Sequence, residues 1–155
     1  MWMLCTALIL LIPVDQGHPE TTNDHRAMVM GFDQDKTAHH FLLYADGGAI
    51  DVTVKDASDT KDRDAIRSHL SHIATMFRSG DFDVPMLVHD AKDIPGTAVL
   101  SARKETAAYR YVQTPNGGRI DIVTTDAETL KALHAFLRYQ IQEHHTSDSG
   151  TVGRR

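Results

Sequence analysis

The chain of 155 residues has a single cysteine, Cys5, which excludes an internal disulfide framework, a Cys-rich zinc finger and a CxxC redox pair together. Aromatic residues make up 6% and prolines number five, against 41% hydrophobic residues. That balance fits neither a fibrous nor a disordered chain and suits one ordinary globular domain. Positive charge is scarce too, with 16 Lys and Arg facing 21 Asp and Glu for a net charge of −5. Without a basic stripe for a phosphate backbone, nucleic acid is excluded as an expected partner. The P-loop, G-x-G-x-x-G, G-x-S-x-G and H-E-x-x-H patterns are absent, so phosphate, nucleotide, nucleophile-elbow and zincin chemistry lose their usual handles. An EF-hand loop starting at Asp56 fails as well, because Lys61 stands where it needs Gly and Arg67 where it needs Glu.

What the chain has in excess is histidine, ten of them. Its first stretch, MWMLCTALILLIPV from Met1 to Val14, is apolar and uncharged but shorter than the about 20 residues a membrane span takes. It reads as the apolar region of a signal peptide over 1–17, although no Lys or Arg precedes it and no A-x-A site follows. The expectation is therefore a periplasmic or secreted protein with no stable membrane span after processing. Export would remove Cys5 and leave His, Met and carboxylates as the available metal ligands. Residues 18–30 read as a flexible His/Met arm, 31–146 as a single α+β domain and 147–155 as a disordered tail.

Two hairpin patterns mark the domain. HFLLYADGGAIDVTV turns around Ala45-Asp46-Gly47-Gly48, with Ile50, Val52 and Val54 alternating against Asp51 and Thr53. AYRYVQTPNGGRIDIVTT turns around Pro115-Asn116-Gly117-Gly118. Each is followed by an amphipathic helix: Ile66, Leu70, Ile73 and Phe77 up to a stop at Gly80, then Leu130, Leu133, Leu137 and Ile141 behind a capping box at Thr125-x-x-Glu128. GGAIDVTVKD aligns with GGRIDIVTTD without a gap, so the fold expected is a duplicated ββα-ββα, halves about 39–80 and 108–145, with one antiparallel sheet and both helices on one face. Between the halves, DFDVPMLVHD reads as a strand and IPGTAVLSARKE as a turn and short helix.

A four-residue turn sets Leu43 opposite Ile50, Phe41 opposite Val52 and His39 opposite Val54, which turns His39 to the core and His40 away. On the first helix, Ala65, His69, His72 and Met76 form a row beside the core stripe, a spacing at which two imidazoles and a thioether can approach one point. His134 falls inside the apolar stripe of the second helix. Imidazoles from three elements with a thioether form a credible copper or zinc set, so the expected metal site is His39, His69, His72, Met76 and His134, with His89 as an outlying candidate. His25, Met28 and Met30 make a secondary arm site suited to Cu(I). His144 and His145 read as solvated.

At MGFDQDKTAHHF, Met30 to Phe41, together with FLLYADGGAIDV, DFDVPMLVHD and HAFLRYQIQEH, the chain resembles a group of small secreted or periplasmic bacterial proteins of unestablished function, some named aspartate carbamoyltransferase. The likeness covers about 28–148. It implies export and one repeated fold and supplies no catalytic residues; a chain of 155 residues cannot hold the two domains of that transferase. The function expected is thus an exported transition-metal-binding protein, copper first and zinc second, in metal handling or as a small metalloprotein. A metal-free protein or peptide-interaction module using the open sheet face near His40, Leu42 and Asp51 is the alternative, followed by a His-dependent hydrolase around His89 and Asp90. Haem between His and Met ligands is a further option. Binding is favoured over catalysis, since no reaction signature accompanies the histidines.

Overall fold

The computed structural model describes residues 28–155. The signal-peptide reading and His25 of the arm site lie outside the described residues. Four strands, β1 (Thr37–Tyr44), β2 (Gly47–Val54), β3 (Ala107–Thr114) and β4 (Gly117–Thr124), form one antiparallel sheet in the order β1-β2-β4-β3. The helices are α1 (Thr60–Ser79), α2 (Asp83–His89), α3 (Thr97–Ala102) and α4 (Ala127–Glu143). The protein is α+β, as the alternation of period-2 and period-3.6 patterns requires.

Both hairpins turn in two residues rather than four, with Tyr44 facing Gly47 and Thr114 facing Gly117. The glycines are therefore the first residues of β2 and β4. A Cβ on Gly47 would run into the Ile122 carbonyl, and one on Gly117 into the Val52 carbonyl. The shorter turn slides the register by two residues, to His39 opposite Val52 and Phe41 opposite Ile50. A slide of two preserves the face, so His39 still points to the helix side.

One face of the sheet carries Phe41, Leu43, Ile50, Val52, Ile120, Ile122 and Tyr109, all 7% exposed or less. Helix α1 lies over β3 and β4 and α4 over β1 and β2, because each presents its apolar stripe at one face of the sheet. Gly48 lets Leu137 of α4 sit directly on β2, and Gly118 does the same for Leu70 of α1. The pairing of β2 with β4 centres on Ile50 opposite Ile120, positions that the gapless alignment equates. A common origin of the halves does not follow, since any two hairpins with helical returns meet the same burial requirement.

Helix α1 starts at an Asp59 cap, whose carboxylate accepts from the Asp62 amide, and stops at Gly80, whose φ of 82° suits glycine. Helix α4 is capped by Asp126, which accepts from the Thr129 amide, and not by Thr125. DFDVPMLVHD forms α2 instead of a strand; Pro85 falls in its first turn, where no helical N–H is needed. The segment 147–155, expected to be disordered, runs along the outer edge of β1. Asp148 accepts from the Phe41 amide at 2.9 Å and Gly153 donates to the Leu43 carbonyl at 2.8 Å. No helix among the described residues is long and apolar enough to cross a membrane.

Candidate functional site

The histidines separate into distinct environments. His134 is buried on α4, and its Nε2–H donates to the carbonyls of Tyr44 (2.9 Å) and Gly47 (3.0 Å). It ties the first hairpin turn to the helix and is not among the residues that line the pocket where the other imidazoles gather. His72 is exposed and Met76 packs partly buried against the core, so the expected row of His69, His72 and Met76 does not close on one point. The i,i+3 and i,i+4 spacing aligned them along the helix, but His72 lies on its solvent side. Met28 is 82% exposed whereas Met30 is buried, with its Sδ accepting from Gln34 Nε2, so the arm pair is split and the arm's last residue belongs to the core. On the opposite face of the sheet, His40 Nδ1 lies 2.9 Å from Asp148.

The others converge. His39 from β1, His69 from α1, His89 from the end of α2 and His144 from the end of α4 line one cavity of about 70 Å³ beneath the helices, with Met30 and Gln140. Its remaining walls are apolar, built from side chains such as Phe41, Ile73, Phe77 and Phe136. His144, which the sequence pattern leaves solvated, is one of the converging imidazoles. The signal that reveals it is the run Leu133, Leu137, Gln140, His144, whose 4-3-4 spacing extends the buried stripe of α4 past its apolar part.

The imidazoles touch in series. His39 and His144 stack with centroids 4.8 Å apart and planes at 28°, and His144 meets His89 edge-on at 5.0 Å. Phe32 stacks on His39 and meets His69 edge-on. His89 Nε2–H donates to Gln140 Oε1 at 3.0 Å, and its Nδ1 lies 3.8 Å from Glu143. Burial, reinforced by neighbouring His69, His40 and Lys55, pushes His39 down to about 4. Burial and then His72 do the same to His69. Both rings are neutral at pH 7 and present lone pairs rather than charge.

His39 and His144 also form the wall of a second, polar cleft of about 410 Å³ that holds His40, Lys55, Glu143 and His145. The stacked pair thus stands between an apolar pocket and a polar one, both open to solvent. His89 does not work with Asp90: that residue sits just past the end of α2 at φ 48°, while the imidazole turns to Gln140 and Glu143. The lining of this pocket contains no Ser, Thr or Cys among the described residues. Among the described residues, no three of His, Cys, Asp and Glu are grouped so as to hold a metal ion. No protein-family model, curated protein or solved structure matches the chain. Residue roles here rest on geometry.

Proposed function

We propose that the chain is an exported binding protein for a transition-metal ion, copper first and zinc second, with the ligands drawn from His39, His89 and His144 and with His69 and Met30 beside them. The observation that carries the reading is the gathering of four imidazoles and a thioether on a cavity of about 70 Å³. That space is well below the several hundred Å³ of an ordinary metabolite site, but it holds an ion and a water or two. Two imidazoles on one tetrahedral ion, at metal–nitrogen distances of about 2.0 Å, have centroids about 5 Å apart. The separations of 4.8 and 5.0 Å along His39, His144 and His89 are of that size, but imidazole lone pairs lie in the ring plane, so rings stacked at 28° must turn to face a common ion. His89 ligates only by giving up its Nε2 hydrogen bond to Gln140; Glu143, 3.8 Å from Nδ1, is then the kind of carboxylate that orients a metal-ligating imidazole, and the thioether of Met30 favours Cu(I).

The test is titration of untagged protein with Cu(I), Cu(II) and Zn(II), set beside His39→Ala, His89→Ala and His144→Ala, with His72→Ala as the control. Loss of at least tenfold in affinity in the first three and none in the control is the expected pattern. Equal affinity across all five proteins sinks the reading. One observation favours a metal-free interaction module instead: His39 and His144 lie stacked face to face, their ring nitrogens not turned to a common point. Unchanged melting with metal and with chelator selects that alternative.

A further inference from the structure

The two edges of the sheet are finished differently. The Thr124 amide donates to the Asp46 carbonyl and the Val54 amide to the Asn116 carbonyl, so the even-numbered residues of β4 bond to β2 and the odd-numbered ones to β3. The register of β3 on β4 then turns the amides and carbonyls of Tyr109, Tyr111 and Gln113 outward. On the far edge, the outward amide of Phe41 and carbonyl of Leu43 are taken by Asp148 and Gly153. On β3, the Tyr109 carbonyl accepts from Arg78 Nη1 at 2.9 Å, and the outward groups of Tyr111 and Gln113 have no hydrogen-bond partner among the described residues. Gln113 is exposed and Tyr111 half-buried, and neither a proline nor a bulge blunts the strand.

What this edge fits follows from its charge. Arg78 also donates to Thr75 Oγ1 and makes no ion pair among the described residues. Arg67, at the other end of β3, donates to the carbonyls of Thr114, Pro115 and Gly117 and pairs with Asp64, and Arg110 on the opposite face pairs with Asp121. A second copy paired antiparallel about Tyr111 brings Arg78 of one chain to Arg67 of the other, like charge against like. A strand with a carboxylate meets the unpaired cation instead. We propose that the β3 edge takes an extended acidic segment of another protein, antiparallel to Tyr111 and Gln113, with an Asp or Glu opposite Tyr109 and its carboxylate on Arg78. Opposed residues of paired strands share a face, so that acid falls on the helix side, where Arg78 reaches over from α1. None of these residues lines the histidine cavity, and the inference needs no metal.

The full chain is titrated with the peptide acetyl-TVTVTET-amide, which sets its glutamate opposite Tyr109, while backbone amide shifts and hydrogen exchange are followed by NMR. Its glutamine twin acetyl-TVTVTQT-amide and acetyl-TETVTVT-amide, with the acid at the other end, are the comparisons. The expected result is saturable binding of the first peptide, slowed exchange at Tyr111 and Gln113 with no change at Phe41, and about fivefold weaker binding of the other two. Arg78→Gln, which keeps a donor for the Tyr109 carbonyl, should bring the three peptides to equal affinity. Gln113→Pro removes only an outward amide and an exposed side chain, and should weaken all three by a common factor. A preference for the first peptide that persists in folded Arg78→Gln overturns the proposal, as does wild-type protein that binds none of them. Tyr111 and Gln113 amides already protected without peptide overturn it too: protection that rises with protein concentration makes a second copy the occupant, and protection independent of concentration makes it residues 1–27.

Discussion

His39 of β1 and His144 at the end of α4 stack at 4.8 Å and form a common wall between the apolar cavity and the polar cleft. The contact ties the edge strand to the last turn of the last helix. It holds while both rings are neutral, since a second positive charge at that distance in a half-buried site is repulsive.

Acid should loosen this region before it reaches the carboxylates. His39 and His69 titrate near 4 when folded and near 6.5 when unfolded. Between those values the unfolded chain binds more protons, so stability is complete above about pH 6.5 and is lost as pH falls towards 4. The slope is at most about 1.4 kcal/mol per pH unit for each ring. Asp126, held at about 2 by Arg103 and the Thr129 amide, adds its own loss only below about pH 4. Urea midpoints from pH 7.5 to 3.5 should show the His window first, and His39→Phe, which keeps a stacking ring, should reduce its slope by about half. A wild-type curve flat above pH 4.5 contradicts the assignment.

His134→Ala should cost about 3 kcal/mol of folding stability, because it removes the donor shared by the carbonyls of Tyr44 and Gly47 and leaves a void beneath the turn. His134→Gln, with a donor of similar reach, should recover part of it. Neither should alter metal affinity. Denaturant unfolding and metal titration of the same preparations check both halves; a loss of metal affinity in folded His134→Gln would return this residue to the site.

The fold was legible where patterns were periodic. The stripe Ile66, Leu70, Ile73, Phe77 and the alternation Ile50, Val52, Val54 each have one burial solution, so class, helices and hairpins follow from them. The site was legible for single residues and not for their grouping. His39, His69 and His89 were marked by position, but His134 and His144 exchanged roles: one imidazole inside an apolar stripe found backbone carbonyls, and one beyond the stripe's last aliphatic residue found the cavity. Local spacing says which way a side chain leaves its helix, not what another element places opposite it. Gln140 was invisible for the same reason, being polar in a position that only packing turns inward.

Gly117→Ala should destabilise by about 1–3 kcal/mol, although its backbone is open to any residue, because the new methyl meets the Val52 carbonyl, which cannot swing aside as a side chain can. Gly150→Ala, whose methyl would touch only Arg138 at 3.9 Å, should be neutral. Thermal melts of the two variants separate a steric requirement from a conformational one. Equal, small effects would show that β2 and β4 have room to part.

The last residues guard the edge of β1. Asp148 accepts from the Phe41 amide and pairs with His40, Gly153 donates to the Leu43 carbonyl, and Arg138 holds the Gly150 carbonyl at 2.8 Å. Arg155 then reaches over Tyr44 to Asp46. Deleting 147–155 bares these strand groups, and an uncovered edge seeks another strand. The truncated chain should therefore self-associate with rising concentration in sedimentation experiments, and exchange of the Phe41 amide should quicken in its monomeric form. Asp148→Ala, which removes only the carboxylate, should speed exchange at Phe41 with little change at Leu43 and no dimer. A truncated chain that stays monomeric, with Phe41 exchanging as in the full chain, would show that the segment is not what covers this edge.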